Sequence, residues 1–317
     1  MRRVSTGELS ELFGPVAIEK DKAQRVHRIR ARVEADLATM AADKRPQLQA
    51  YTDGVNAGLS ALRVRPWPYL LLRQQPERWE LGDAALTGFA MYFDLQDAGN
   101  HRELALWKIK PHLPPALFAL LTRDGTRWDA PLIGSARGDA TLPSADEVDL
   151  RKLPGTPAKR HDIAADDIVP GSNNFAVSGA LTADGRAIVA DDMHLGLRAP
   201  SIWFRARLRY ADARAPGGKV DMTGFTLPGL PAVVVGSNTH IAWAFTNSYV
   251  DTADWRIHTD CSARDADPST CVKPTSHTET IRVAGGAPVA FEVEETEWGP
   301  VLHRDGDRLF ALRWNAH

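Results

Sequence analysis

The sequence predicts an α+β protein in which helices come first, then a long polar connection, then an antiparallel sheet. Three observations carry this. Apolar residues recur at steps of three and four in the first 123 residues, as one face of a helix requires. Residues 124–171 are rich in Gly, Pro, Asp, Ala and Ser and show little periodicity. From residue 172 onward, short apolar runs are separated by turn signals. The expected segments are therefore 1–123 (helical), 124–171 (a linker, a surface excursion or a segment meant for removal) and 172–317 (sheet).

Val26, Ile29, Val33, Leu37 and Met40 fall on one face of a first helix. Leu48, Tyr51, Val55, Leu59 and Leu62 do the same in a second. Arg65-Pro66-Trp67-Pro68 breaks the pattern, since proline cannot continue a helix interior. A third helix is expected over 83–110, rich in Ala, Leu and aromatic residues and so well buried. In the last segment, strands at 174–178 and 187–190 flank Thr182-Ala183-Asp184-Gly185, a hairpin turn signal. In the run 203–210, Phe204, Ala206, Leu208 and Tyr210 share one face and Arg205, Arg207 and Arg209 the other. Further strands are expected at 232–235 and 241–246, and near 279–284, 289–295 and 308–314.

Composition excludes several classes of function. The 317 residues are 44% hydrophobic and 25% charged, a globular balance. Lys plus Arg is 38 against 40 for Asp plus Glu, a net charge of −2, so no basic excess draws the chain to nucleic acid. No apolar run approaches the roughly 18 residues of a membrane span. The opening MRRVSTGELSELFG has two arginines with no apolar stretch behind them, so no signal peptide is expected there. The two cysteines, Cys261 and Cys271, are too few for a four-thiolate zinc site. They fit either one bridge in an oxidising compartment or two unrelated thiols. There is no G-x-S-x-G elbow, P-loop, H-E-x-x-H or C-x-x-C.

The most informative segment is Gly171-Ser172-Asn173-Asn174-Phe175-Ala176-Val177, where a serine stands between the connection and the first strand. Cleavage between Gly171 and Ser172 would give that serine its own α-amine. With a pKa of about 7.7–8.0, the amine is partly neutral near pH 7 and can take the proton of its own hydroxyl. The same residues also fit a plain polar turn before a strand. A second Gly-Ser-Asn, at 236–238, follows an apolar run directly and reads as a turn between strands.

GSNNFAVSG, TADGRAIVADDMHLGLRAPSIWFRARL and TLPGLPAVVVGSNTHIAWAFTN, in this order, resemble the penicillin acylase (penicillin amidase) family. ELFGP and LQAYTDGVNAGL resemble that family's first chain. The resemblance implies an N-terminal-nucleophile hydrolase with an αββα sandwich, here incomplete. It also implies a spacer peptide that is lost and a two-chain product, an α/β heterodimer of the chain's own two parts. On that pattern Ser172 attacks an amide carbonyl and holds the acyl group as an ester. His194 orients or polarises the amine of Ser172, and Asn247 offers a backbone N–H to the developing oxyanion, worth about 3–4 kcal/mol. Asp251 and Asp254, with Glu103, would hold a structural calcium, an ion suited to oxygen ligands. No organic cofactor is implied. Met91, Tyr92 and Phe93 would line the acyl pocket. The implied partner is a small acyl amide such as a β-lactam, an acyl-homoserine lactone or a lipopeptide, and His194 leans towards the latter acylases. The implied location is the periplasm or outside the cell.

The sequence also departs from the family. It is less than half as long, and looks truncated at both ends. The family's second oxyanion donor, an asparagine further along, falls beyond its last residue. The expected alternatives to an acylase are therefore a non-catalytic remnant and one part of a split enzyme.

Overall fold

The computed structural model describes residues 1–131, 133–152, 171–196, 201–248 and 250–317. It divides into two units, residues 1–99 with 169–317, and residues 100–168. The expected order, helices followed by antiparallel strands, is the order the chain forms.

In the first unit, α1 (Arg2–Thr6), α2 (Ser10–Phe13) and α3 (Ile18–Arg25) are short and held by polar contacts. The buried Asp21 carboxylate accepts the amide N–H groups of Leu9 and Ser10 at 2.8 and 2.7 Å, occupying donors that a helix start leaves unpaired. The first expected helix begins later than its apolar pattern. Arg28 adopts a left-handed conformation (φ 49°), so α4 runs Ile29–Thr39 and Val26 lies outside it. In α5 (Arg45–Ser60) the expected face is half-buried, and the fully buried residues are the polar Thr52 and Asn56. Asn56 brackets Trp79, accepting from its N–H at 2.8 Å and donating to its carbonyl at 2.9 Å. The proline break at 65–68 instead opens a short helix, α6 (Trp67–Leu71), because proline is tolerated in a first turn. Helix α7 (Asp83–Leu95) packs Leu86 and Phe89 against Ile29 and Val33.

The third expected helix does not reach Lys110. Gln96 is extended and Asn100 left-handed (φ 42°), so the helical pattern is interrupted. In the second unit, α8 (His101–Ile109) and α9 (Pro115–Thr122) are followed by a segment with no strand among its described residues. Residues 153–170 of the expected spacer lie outside the described residues.

The strands of the first unit form four antiparallel sheets among the described residues, of two, three, four and two strands. Strands β1 (Gly171–Val177) and β2 (Ile188–His194) make the expected hairpin, with β1 starting earlier than its apolar pattern. The four-stranded sheet runs β3 (Phe204–Ala211), β4 (Lys219–Thr226), β5 (Val235–Ser237) and β6 (Ala242–Trp243). Strand β4 was not expected, and of the expected strand 232–235 only Val235 falls within a strand, although the Val234 amide also donates to the Phe225 carbonyl at 2.8 Å. Gly224 and Gly236 face each other across β4 and β5. A Cβ on Gly224 would stand 2.1 Å from the Val235 carbonyl oxygen, so glycine is required there. The second Gly-Ser-Asn does end in a turn, with Asn238 Oδ1 accepting from the His240 and Ile241 amides at 3.1 and 2.9 Å.

Five strands complete the unit: β7 (Ala253–Thr259), β8 (Thr275–Ile281), β9 (Val289–Glu295), β10 (Val301–Asp305) and β11 (Arg308–Trp314). Strand β11 lies between β10 and β7 and buries Leu309, Phe310, Ala311, Leu312 and Trp314, so it shows no alternation. Trp314 stacks on Tyr92 of α7, their planes 10° apart and centroids 5.1 Å apart. Arg25 and Arg28 reach Glu279 and Glu295 of the β8–β9 hairpin at 3.0 and 2.9 Å. Cys261 and Cys271 are bonded to each other and close the loop after β7.

Candidate active site

Strand β1 places Ser172 opposite Met193, and Gly171 opposite His194. Directly paired residues of an antiparallel ladder share a face, and successive residues alternate. Ser172, Met193, Asn174 and Asp191 therefore belong to one face, and His194 with Asp192 to the other. His194 stands beside the backbone of the Gly171–Ser172 peptide bond, on the face away from the Ser172 side chain. It is half exposed, and its Nε2 lies 3.2 Å from Asp192 Oδ2.

The Ser172 face opens on a cavity of about 350 Å³. Met91, Tyr92, Leu95 and Gln96 line it from the end of α7, Val234 and Val235 from β5 and the residue before it, and Thr246 and Asn247 from the segment after β6. Its walls are mostly apolar, the character of a site for the hydrocarbon part of a ligand. Phe93, expected at the pocket wall, turns the other way. It packs in the core beside His27 and Trp314 at 5.4 and 5.3 Å, because one step along α7 rotates a side chain by about 100°.

Polar groups are few and specific. Gln96 Nε2 donates to Asn247 Oδ1 at 3.0 Å. Tyr92 Oη donates to Asn315 Oδ1 at 2.5 Å, and the Asn315 amide donates to the Thr252 carbonyl at 2.9 Å. Asn247 Nδ2 is shielded from water and has no hydrogen-bond partner among the described residues. Burial pushes the Asp191 carboxyl above the usual carboxylate range, the Phe245 amide opposes this, and the neighbouring Asp192 charge adds to it.

Asp251 and Asp254 are exposed and follow Asn247 closely, Asp254 within β7. The Asp254 carbonyl accepts from Trp298 Nε1 at 3.3 Å. Glu103 belongs to the second unit, in the first turn of α8, where it accepts from Asn100 Nδ2 at 2.6 Å. Carboxylates throughout make a donor set chemically suited to calcium. Gln96 and Asn315 are cavity residues that the sequence did not single out. Neither lies in a recognisable motif, and Gln96 meets its partner across 151 positions of chain.

Ser172 thus stands at the start of β1 on the wall of a mostly apolar cavity, together with the side-chain amides of Gln96 and Asn247. The penicillin amidase family matches residues 1–317, and the chain belongs to that family. An acyl-homoserine lactone acylase, QuiP, of Pseudomonas aeruginosa is 26% identical over 317 residues, covering 96% of this chain and 35% of the relative. The penicillin acylase 2 proenzyme of Pseudomonas sp. strain SE83 is 29% identical over 322 residues, covering 96% of this chain and 38% of its own. The solved thermostable penicillin G acylase of Alcaligenes faecalis aligns at a TM-score of 0.32 and 23% identity, over 38% of this chain and 21% of its own. The chain thus spans about a third of the length of the curated relatives it matches.

Proposed function

We propose that this chain carries the nucleophile and part of the acyl pocket of an amide-bond hydrolase, an acylase of the N-terminal-nucleophile type. The observation that carries the reading is that Ser172 and Asn247 line the same apolar cavity. In the maturation step the Ser172 hydroxyl attacks the Gly171 carbonyl and the Gly171–Ser172 amide becomes an ester. Water then hydrolyses that ester, leaving the Gly171 carboxylate and a Ser172 α-amine. In turnover the amine accepts the hydroxyl proton as Oγ attacks the substrate carbonyl. The Asn247 backbone N–H donates to the oxyanion, the amine product leaves with the proton, and water releases the acid from the acyl-serine.

His194 flanks the cleaved bond, and its role in this scheme is to hold the new amine. Met91 and Tyr92 contact the acyl group. Asp251 and Asp254, with Glu103, would hold a structural calcium ion. The disulfide favours an oxidising compartment, in line with the periplasm. The names of the relatives support both β-lactam amides and acyl-homoserine lactones as substrate classes.

The test is the intact mass of the expressed chain beside its Ser172→Ala variant. The expected outcome is that the wild type divides into two fragments, one beginning Ser172-Asn173-Asn174, and that the variant stays whole. Division of the variant at the same bond, or of the wild type elsewhere, overturns the mechanism. The alternative, a non-catalytic protein that keeps only a binding surface, predicts that neither protein divides and that neither hydrolyses an N-acyl 4-nitroanilide.

A further inference from the structure

The segment between Trp243, where β6 ends, and Ala253, where β7 begins, holds Asn247 at the cavity. No strand ladder fixes its described residues beside the cavity, so individual contacts, side-chain ones among them, set where its amides point. Asn247 Oδ1 accepts from Gln96, while Asn247 Nδ2 is shielded and lacks a partner among the described residues. One hydrogen bond therefore decides how the Asn247 side chain sits.

Gln96 is a firm post for that bond. Its own amide donates to the Tyr92 carbonyl at 2.9 Å, and its carbonyl accepts from the Ala98 amide at 3.0 Å. Its backbone is thus anchored on both sides at the end of α7, the helix that also supplies Met91 and Tyr92. The two partners fall on opposite sides of the Gly171–Ser172 bond, so after cleavage the contact joins separate chains.

We infer that Gln96 is a positioning residue: by holding Asn247 Oδ1 across the cavity it aims the Asn247 backbone N–H at the carbonyl oxygen that Ser172 attacks. This rests on the acylase reading above and adds to it a residue that touches neither the nucleophile nor the reacting atoms. Small displacements of such a donor cost about 100-fold in rate, because it is worth most at the transition state and little to the bound substrate.

The experiment is steady-state hydrolysis of an N-acyl 4-nitroanilide by the processed protein, with Gln96→Leu, Asn247→Leu, the double variant, Gln96→Glu and Ser172→Ala compared. Gln96→Leu is expected to lower kcat about 10- to 100-fold with KM changed less than about threefold. Asn247→Leu keeps the backbone N–H but loses the tether, so it should fall equally, and the double variant no further. In Gln96→Glu the carboxylate accepts from Asn247 Nδ2 once that amide turns over, so this variant should recover most of the lost kcat. If Gln96→Leu fails to process, Gln96→Ser, too short to reach Asn247, takes its place with the same expectation. Additive losses, a loss confined to KM, or no recovery in Gln96→Glu would overturn the assignment. If Ser172→Ala keeps activity, the nucleophile reading itself falls. If Ser172→Ala is inactive while Gln96→Leu keeps the wild-type kcat, only the role of Gln96 falls.

Discussion

His27 is 2% exposed and sits among the rings of Phe93, Trp314 and His317, and the Trp314 ring is the one that also stacks on Tyr92. Its Nδ1 lies 3.0 Å from His317 Nε2. Burial lowers the His27 pKa from 6.5 to about 3, with the nearby His317 and Arg32 charges adding to the effect. His317 is lowered to about 3 as well, by burial and then by Arg32. The folded state thus prefers both rings neutral. Their contribution to stability is complete above the unfolded pKa of 6.5 and is lost as pH falls through that value towards about 3. In His27→Phe a ring of similar size keeps the aromatic contacts and no longer titrates. The decline of the urea midpoint between pH 7.5 and pH 5 should then be less steep than in the wild type. An unchanged slope would show that these rings do not govern acid sensitivity. None of this is legible in the sequence, where a histidine at 27 is one of ten and its partner lies 290 positions away.

Whole elements were legible where burial is two-sided or the pattern is clean. Strands β9 and β11 fall where their apolar runs place them, at 289–295 and 308–314. Strand β4 was hidden because Asp221 and Gly224 interrupt its pattern, and β7 and β10 because charged residues stand among their apolar ones. The division of the helix expected over 83–110 turns on backbone angles at Gln96 and Asn100, which periodicity does not report. The cysteines were left open by spacing alone, and the fold resolves them by turning the chain back after β7. The Val272 amide donates to the Thr259 carbonyl at 2.9 Å and the Cys261 amide to the Val272 carbonyl at 3.1 Å, bringing the two Cα atoms to 4.9 Å. A loop this short gains about 2–3 kcal/mol from closure. Cys271→Ser is expected to lower the melting temperature by on the order of 5 °C. Thiol titration of the denatured wild-type chain, purified under thiol-blocking conditions, should find no reactive thiol. Finding both cysteines reactive would remove the disulfide and the argument for an oxidising compartment with it.

The molecule as a whole is organised so that cleavage before Ser172 need not separate its parts. The first unit is built from both sides of that bond, residues 1–99 and 169–317. Tyr92 and Phe93 pack on Trp314, the Ala284 amide donates to the Ser10 carbonyl at 2.9 Å, and Arg25 and Arg28 pair with β8 and β9. Two fragments joined only by such contacts lose the entropic advantage of one chain, so any further bond between them carries more weight after processing than before. The proposed calcium would be such a bond, since Glu103 precedes the cleaved bond while Asp251 and Asp254 follow it. Chelator should then lower the melting temperature of the processed protein more than that of uncleaved Ser172→Ala, and added calcium should restore both where magnesium does not, because magnesium demands a smaller, more regular site. Unchanged melting in chelator would dismiss the ion. An equal drop in both proteins would keep the ion but deny it any part in joining the two chains.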